Sequence, residues 1–240
     1  MFCKTQGIVL HSIKYADKKV ITKIYTKQLG IISVNSIIRS TSKSTIARSA
    51  IQPLSIIDLE IVFKENREIH ELKEAKSIYQ YQSIHVEFYK LCIAQFMNEI
   101  LLKCLKEQSK NDLLFQFIFE SLIWLDTLDK GYNNIHIIFM FQLTKFLGFY
   151  PLNNFNNDCL YFDMMEGRFQ SFKLSYPLGL DKDDSQLIKD LFTYELNSEI
   201  NYTKNNRDQL LEILLLYYKY HFHGFNNIKS YEVLKETLNT

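Results

Sequence analysis

The sequence predicts an α+β fold, with a small five-stranded β-barrel in front and an α-helical body behind it. Three observations carry this. Apolar residues alternate with a period of two up to about residue 78, then recur with helical spacing from Ser83 onward. Seven Gly and three Pro in 240 residues leave few breaks, which favours helices in the larger part. The chain is also bipolar. Residues 1–52 hold nine Lys or Arg against one acid, Asp17, a net of +8, while the whole chain carries only +1. Residues 53–240 therefore hold 19 basic and 26 acidic residues, a net of −7. A basic head on an acidic body points to a polyanion as partner of the head.

Five runs read as strands: 7–15, 19–26, 30–38, 54–64 and 71–78. Each is short, rich in β-branched residues and bounded by turn-like residues such as Asp17-Lys18, Gln28-Leu29-Gly30 and Asn66. In the third run Ile32, Val34, Ser36 and Ile38 share a face. In the fourth, Ile57, Leu59, Ile61 and Phe63 oppose Asp58 and Glu60. Five short strands with a longer link after the third fit a barrel of the OB type over residues 1–80.

Residues 81–240 form the predicted helical body. Ile93, Phe96, Met97, Ile100, Leu101, Cys104 and Leu105 follow i, i+3, i+4 spacing. Asp112 is the expected N-cap of a second helix, with Leu114, Phe117, Ile118, Leu122 and Leu125 on its stripe. A third helix over 134–149 stops at Gly148 and Pro151. Residues 152–180 read as a small irregular or hairpin insert around Gly167. Helices return at 184–196, 208–221 and 230–238. The stretch 210–218 is apolar on nearly all sides, which predicts a buried helix with Leu211, Leu214 and Leu215 in the core.

MFCKTQGIVLHS has no apolar run of signal-peptide length, and no stretch reaches the ~20 apolar residues of a membrane span. Cys3, Cys92, Cys104 and Cys159 are scattered, so a reduced, cytoplasmic chain is expected.

The basic head supplies the candidate site. On the second strand Lys19, Lys23 and Lys27 alternate with Ile21 and Tyr25, and Val20, Thr22 and Ile24 oppose them. Cations meet phosphates, and an interleaved ring offers a base somewhere to stack. A merely solvated basic face is the alternative. The linker RSTSKSTIARSAIQP tips the balance: Arg39, Lys43 and Arg48 stand among hydroxyls with no acid, and all can donate to phosphate oxygens. Lys14 completes the set. Other chemistry is not encoded. His221 and His223 flank Phe222 with no further donor nearby, which is better read as a polar helix end than as a metal site. No phosphate-cradling glycine loop, nucleophile elbow or HExxH is present, so a binding protein is expected rather than an enzyme.

The segments GIVLHSIKYADKKVITKIYTKQLG, AIQPLSIIDLE, NEILLKCL and LTKFLGFYP, in this order and spacing, resemble the RecO family of recombinational-repair mediators. The resemblance runs from Gly7 to about Gly167 and more weakly beyond. It implies an N-terminal OB barrel, a helical body and a small inserted module. It also implies a bacterial, cytoplasmic, nucleoid-associated protein that binds single- and double-stranded DNA and anneals strands. RecR, the C-terminal tail of single-strand-binding protein and, indirectly, RecA are its implied partners, with no membrane and no cofactor. Many members carry a four-cysteine zinc module after the GFYP-like segment. Here residues 152–180 hold only Cys159, so zinc is expected to be absent, with Phe155, Tyr161, Phe162, Phe169 and Phe172 packing the module instead. The linker is also leaner in Lys, Arg and Gly than the family's, which bears on the strength of DNA binding. The competing reading is a protein–protein adaptor whose acidic helical body recruits partners, with only weak DNA binding.

Overall fold

The structure, a computed structural model, describes residues 1–16, 19–37, 45–64, 66–105, 110–195 and 202–238. The chain forms two compact units, Met1–Gln82 with Leu105–Ile123, and Ser83–Cys104 with Trp124–Thr240.

In the first unit, β1 (Phe2–Ala16), β2 (Lys19–Thr26), β3 (Gly30–Ile37), β4 (Ile56–Val62) and β5 (Ile69–Ser77) close into a barrel of order β1-β2-β3-β5-β4. Neighbours pair antiparallel except β3 and β5, which run parallel. The inward face is the alternating apolar set: Val20 and Ile24 on β2, Ile32 and Val34 on β3, Ile57, Leu59 and Ile61 on β4. Strand β1 starts earlier than its apolar pattern, at Phe2, because its first half pairs with β4 and its second half with β2. Gly7 sits where both pairings overlap, opposite Thr26 and Ile57. A Cβ there would lie 2.6 Å from Ile24 Cγ2, so only glycine admits this close approach.

The described end of the linker is anchored, not a free loop. Ile46 bridges to Ala75, a 3-10 turn follows at Arg48–Ile51, and Ile46, Ala50 and Ile51 join the barrel core. Ser12 Oγ donates to the Ile51 carbonyl at 2.6 Å, and Thr45 Oγ1 to the Lys73 carbonyl at 2.9 Å.

The helices are α1 (Phe88–Cys104), α2 (Asp112–Thr127), α3 (Ile135–Leu147), α4 (Lys182–Leu191), α5 (Lys204–His221) and α6 (Ser230–Leu238). The cap of α2 is Asn111 rather than Asp112: Asn111 Oδ1 accepts from the Leu114 N–H at 3.0 Å, and Asp112 is already the first helical residue. Asp181 and Thr203 cap α4 and α5 in the same way. Gly148, at φ 85°, ends α3 in the left-handed region.

The helix buried on all sides is α3, not α5. Residues 135–144 are all buried, because IHIIFMFQLT carries no formal charge before Lys145. On α5, Leu211, Leu214, Tyr217 and Tyr218 are buried, but Leu215 is half-buried and Glu212 faces solvent. Glu212 there accepts from Lys235 Nζ at 2.8 Å and from the Tyr231 hydroxyl at 3.0 Å, both on α6. The start of α6 is held by Glu99 of α1, whose carboxylate accepts from the Lys229 and Ser230 N–H groups and the Ser230 hydroxyl. Burial alone would push this carboxyl up; the three bonds outweigh it and leave it below the usual range. Buried Lys90 donates to Ser83 Oγ and the Asp126 carbonyl, while Asp126 Oδ1 accepts the Ser83 and Ile84 N–H groups.

The insert is a hairpin of β6 (Tyr161–Asp163) and β7 (Arg168–Gln170). Asn154 extends it by mimicking a strand: its amide donates to the Phe169 carbonyl and accepts from the Phe169 N–H. Phe155 and Phe162 pack on Phe169 at centroid distances of 5.2 and 5.1 Å, and Phe162 rests on Tyr217 of α5. Phe172 does not take part; it is 57% exposed, beyond the end of the hairpin.

Candidate nucleic-acid interface

The outside of the barrel separates charge. Strands β1, β2 and β3 carry Lys4, Lys14, Lys19 and Lys23 and no carboxylate. Strands β4 and β5 carry Asp58, Glu60, Glu71 and Glu74 beside Lys73 and Lys76. Lys4 reaches Glu60 at 3.1 Å and Lys73 reaches Glu71 at 2.5 Å. Among the described residues, Lys14, Lys19, Lys23, Lys27 and Arg48 form no ion pair.

Register places these cations. Lys23 lies beside His11 on β1 and Ser33 on β3, and Lys19 beside Ala16 and Ile37. Lys14 faces Val20 one strand away. Lys14 and Lys19 are exposed and Lys23 is half-buried. Lys14 and Lys19 stand at the open end of the β1–β2 ribbon, Lys14 on the face of Val20 and Lys19 on the outer face, with Lys23 midway along β2 on that outer face. Lys27 stands apart, roughly 26 Å along the chain from Lys19 at the ~3.3 Å rise of a strand. It lines a cleft with Lys4, Lys76 and Lys110, where Asp58, Glu60, Glu74 and Asp112 cancel the charge. Arg48 is exposed on the 3-10 turn. Arg39 and Lys43 lie outside the described residues.

Tyr25 corrects the sequence reading. It points outward as alternation requires, yet it is 0% exposed. Its ring stacks on Phe115 of α2 at 6.3 Å, and its hydroxyl reaches toward the Asn111 carbonyl at 3.5 Å. Burial, with Asp112 adding to it, pushes the phenol up to about 12. A covered ring cannot receive a base. Its neighbours in register, Ile8 and then Ile56, are also fully buried, so this part of the outer wall is interior to the unit. The exposed ring of the ribbon is Tyr15 on β1, outside the alternation of cations with Tyr25 on β2.

A closed barrel with this strand order, followed by helices, defines the class of OB-like barrel proteins with a helical body. Two family models match the chain, Recombination protein O N terminal over residues 1–81 and Recombination protein O C terminal over residues 85–160. The chain is 34% identical over 236 residues to the DNA repair protein RecO of Azobacteroides pseudotrichonymphae, covering 98% of each. It is 33% identical over 238 residues to that of Phocaeicola vulgatus, and 37% identical over 241 residues to that of Flavobacterium psychrophilum. Each of those alignments covers 98% of this chain and 99% of the relative. The chain belongs to the RecO family.

The insert does not fit zinc. Structural zinc takes about four Cys or His ligands, and residues 152–180 offer Cys159 alone. Among the described residues no group of three His, Cys, Asp or Glu is placed to hold a metal. Elemental analysis of untagged protein should find well under one zinc per chain; stoichiometric zinc would refute this. Among the described residues no helix is long and apolar enough to cross a membrane.

Proposed function

We propose that this protein binds the phosphate backbone of DNA through the outer face of the β1–β2 ribbon and anneals strands in recombinational repair, by binding rather than catalysis. The observation that carries this is that Lys19 and Lys23 on the outer face, with Lys14 on the other face of the same ribbon, form no ion pair among the described residues and stand on strands that hold no carboxylate. An unpaired surface lysine keeps its full charge for a phosphate. Arg48 extends the contact, and Lys27, Arg39 and Lys43 are assigned to it from sequence. Relatives over nearly the whole chain that are named DNA repair proteins support the same reading. On the family resemblance, the protein works in the bacterial cytoplasm with RecR and the C-terminal tail of single-strand-binding protein to load RecA.

Titration of labelled single-stranded DNA across a salt series tests it. Each phosphate neutralised on a single strand contributes a slope of about −0.7 to log K against log salt, so four or five engaged cations give about −3. Removing Lys19 and Lys23 together should make the slope shallower by about 1.4 and weaken all sequences alike. Replacing Lys219 and Lys229, exposed on the helical unit, should change little. The reading fails if the ribbon variant keeps wild-type affinity and slope. Weak, salt-insensitive binding by the wild type would favour the adaptor alternative.

A further inference from the structure

The β1–β2 pairing is irregular at its open end. Lys14 pairs with Val20 and Ala16 with Lys19, so Tyr15 is an extra residue with no partner on β2. Such a bulge re-aims a side chain and is common beside binding sites. Tyr15 is 72% exposed, and its neighbours Ile13, Lys14 and Ala16 are also exposed at this end of the ribbon. Large side chains are left this open at a thermodynamic cost, since an aromatic ring gains by burial. On the same sheet stand Ile13 of β1 at 55% and Ile37 of β3 at 47% exposure, with Lys19 and Lys23 of β2 between these strands. Ile13 lies opposite Ile21, and Ile37 opposite Lys19. Lys19 lies between Ala16 and Ile37 in register, so cationic and apolar side chains are interleaved on this face.

From this placement we infer that Tyr15 is a stacking platform for an unpaired base, so that the ribbon takes single strands in preference to duplex. Charge fixes the occupant. An apolar protein surface would gain nothing from lysines interleaved with the apolar side chains, whereas a single strand presents bases and phosphates within one nucleotide of each other. A duplex keeps its bases stacked inside and offers phosphates only, so it engages the lysines and leaves the ring idle. The side chain that sequence alternation proposed for this role, Tyr25, is sealed under Phe115. The inference rests on the ribbon being the DNA-binding face.

The test compares wild type, Tyr15→Ala and Tyr15→Phe on three probes of equal length: an oligothymidine, its abasic sugar–phosphate counterpart and a duplex. Tyr15→Ala should weaken oligothymidine binding about fivefold or more, the scale of one lost base–aromatic stack. Its salt slope should match wild type, because no phosphate contact is removed. Its affinity for the abasic strand and the duplex should stay within about twofold, and Tyr15→Phe should bind oligothymidine as wild type does. Equal losses on all three probes, a shallower slope, or oligothymidine binding by Tyr15→Ala unchanged from wild type would each overturn the inference. Neither outcome is confused with failure of the ribbon itself, which shows as a missing salt dependence in the wild type or as no effect of removing Lys19 and Lys23. Since Tyr15 is exposed, the thermal midpoint of each variant should equal that of wild type and confirms that folding is intact.

Discussion

Leu214→Ala should lower the unfolding free energy by about 2–5 kcal/mol, the range for deleting a leucine from a core that relaxes only in part. Leu214 is 1% exposed in the middle of α5. Its helix closes on α3, the most buried element of the second unit, through the Tyr218 hydroxyl, which donates to the Met140 carbonyl at 2.7 Å. That bond and the contacts of Tyr217 and Tyr218 with Phe149 hold the backbone on both sides, so the cavity cannot readily collapse. The effect belongs near the upper part of the range. The half-buried Leu215 supplies the internal control, and Leu215→Ala should cost clearly less. Urea melts of both variants decide it; a loss under about 1 kcal/mol at Leu214 would mean that α5 does not seal the core.

Much of this fold is legible because burial follows period. The inward residues of β2, β3 and β4 are those that alternation selects, and the stripe of α1 from Ile93 to Cys104 is buried throughout. The failures share one cause, which is that local pattern does not report what lies on the other side of an element. Strand β1 begins five residues early because β4 recruits FCKTQ by backbone pairing, although those side chains show no apolar alternation. The all-round burial expected of α5 belongs to α3 for the same reason. Both sequences are rich in apolar residues, but α5 keeps Glu212 for an ion pair with Lys235, and α3 has no such commitment until Lys145. Asn111 and Asp112 are both good caps by type; the backbone bond from Phe115 N–H to the Asn111 carbonyl decides between them.

At the candidate site the distinction is between outward and exposed. Alternation correctly puts Lys19, Lys23 and Tyr25 on the outer wall of the barrel. It carries no information that residues 105–123, distant in sequence, join the same unit and cover Tyr25. Conversely, Tyr15 is exposed because the end of the ribbon, residues 13–16, is uncovered, which the pattern of β1 alone does not report. Lys14, Lys19, Lys27 and Arg48 are exposed where Tyr25 is not, because a long charged side chain stays at the surface wherever its backbone faces solvent.

Acid should destabilise this protein through one buried imidazole. His136, at the start of α3, is 0% exposed, and neither ring nitrogen has a hydrogen-bond partner among the described residues. The Phe96 ring of α1 meets it edge-on at 5.8 Å. Burial drives its pKa down to about 3, with the positive Arg207 of α5 adding to the shift. Below the ordinary value of 6.5 the unfolded chain takes up a proton that the folded chain refuses until about pH 3. Stability from this group is thus fully present above about pH 6.5 and lost as pH falls through the window down to about 3. At pH 5 the loss is about 2 kcal/mol, from 1.36 kcal/mol for each unit below the unfolded value. Urea melts of wild type and His136→Leu at pH 7.5 and 5.0 isolate it, because every other carboxylate and histidine contributes equally to both proteins. Whatever the variant costs at pH 7.5, its stability relative to wild type should improve by about 2 kcal/mol at pH 5.0. Parallel pH profiles would show that the folded protein accommodates an imidazolium between α1 and α5 after all.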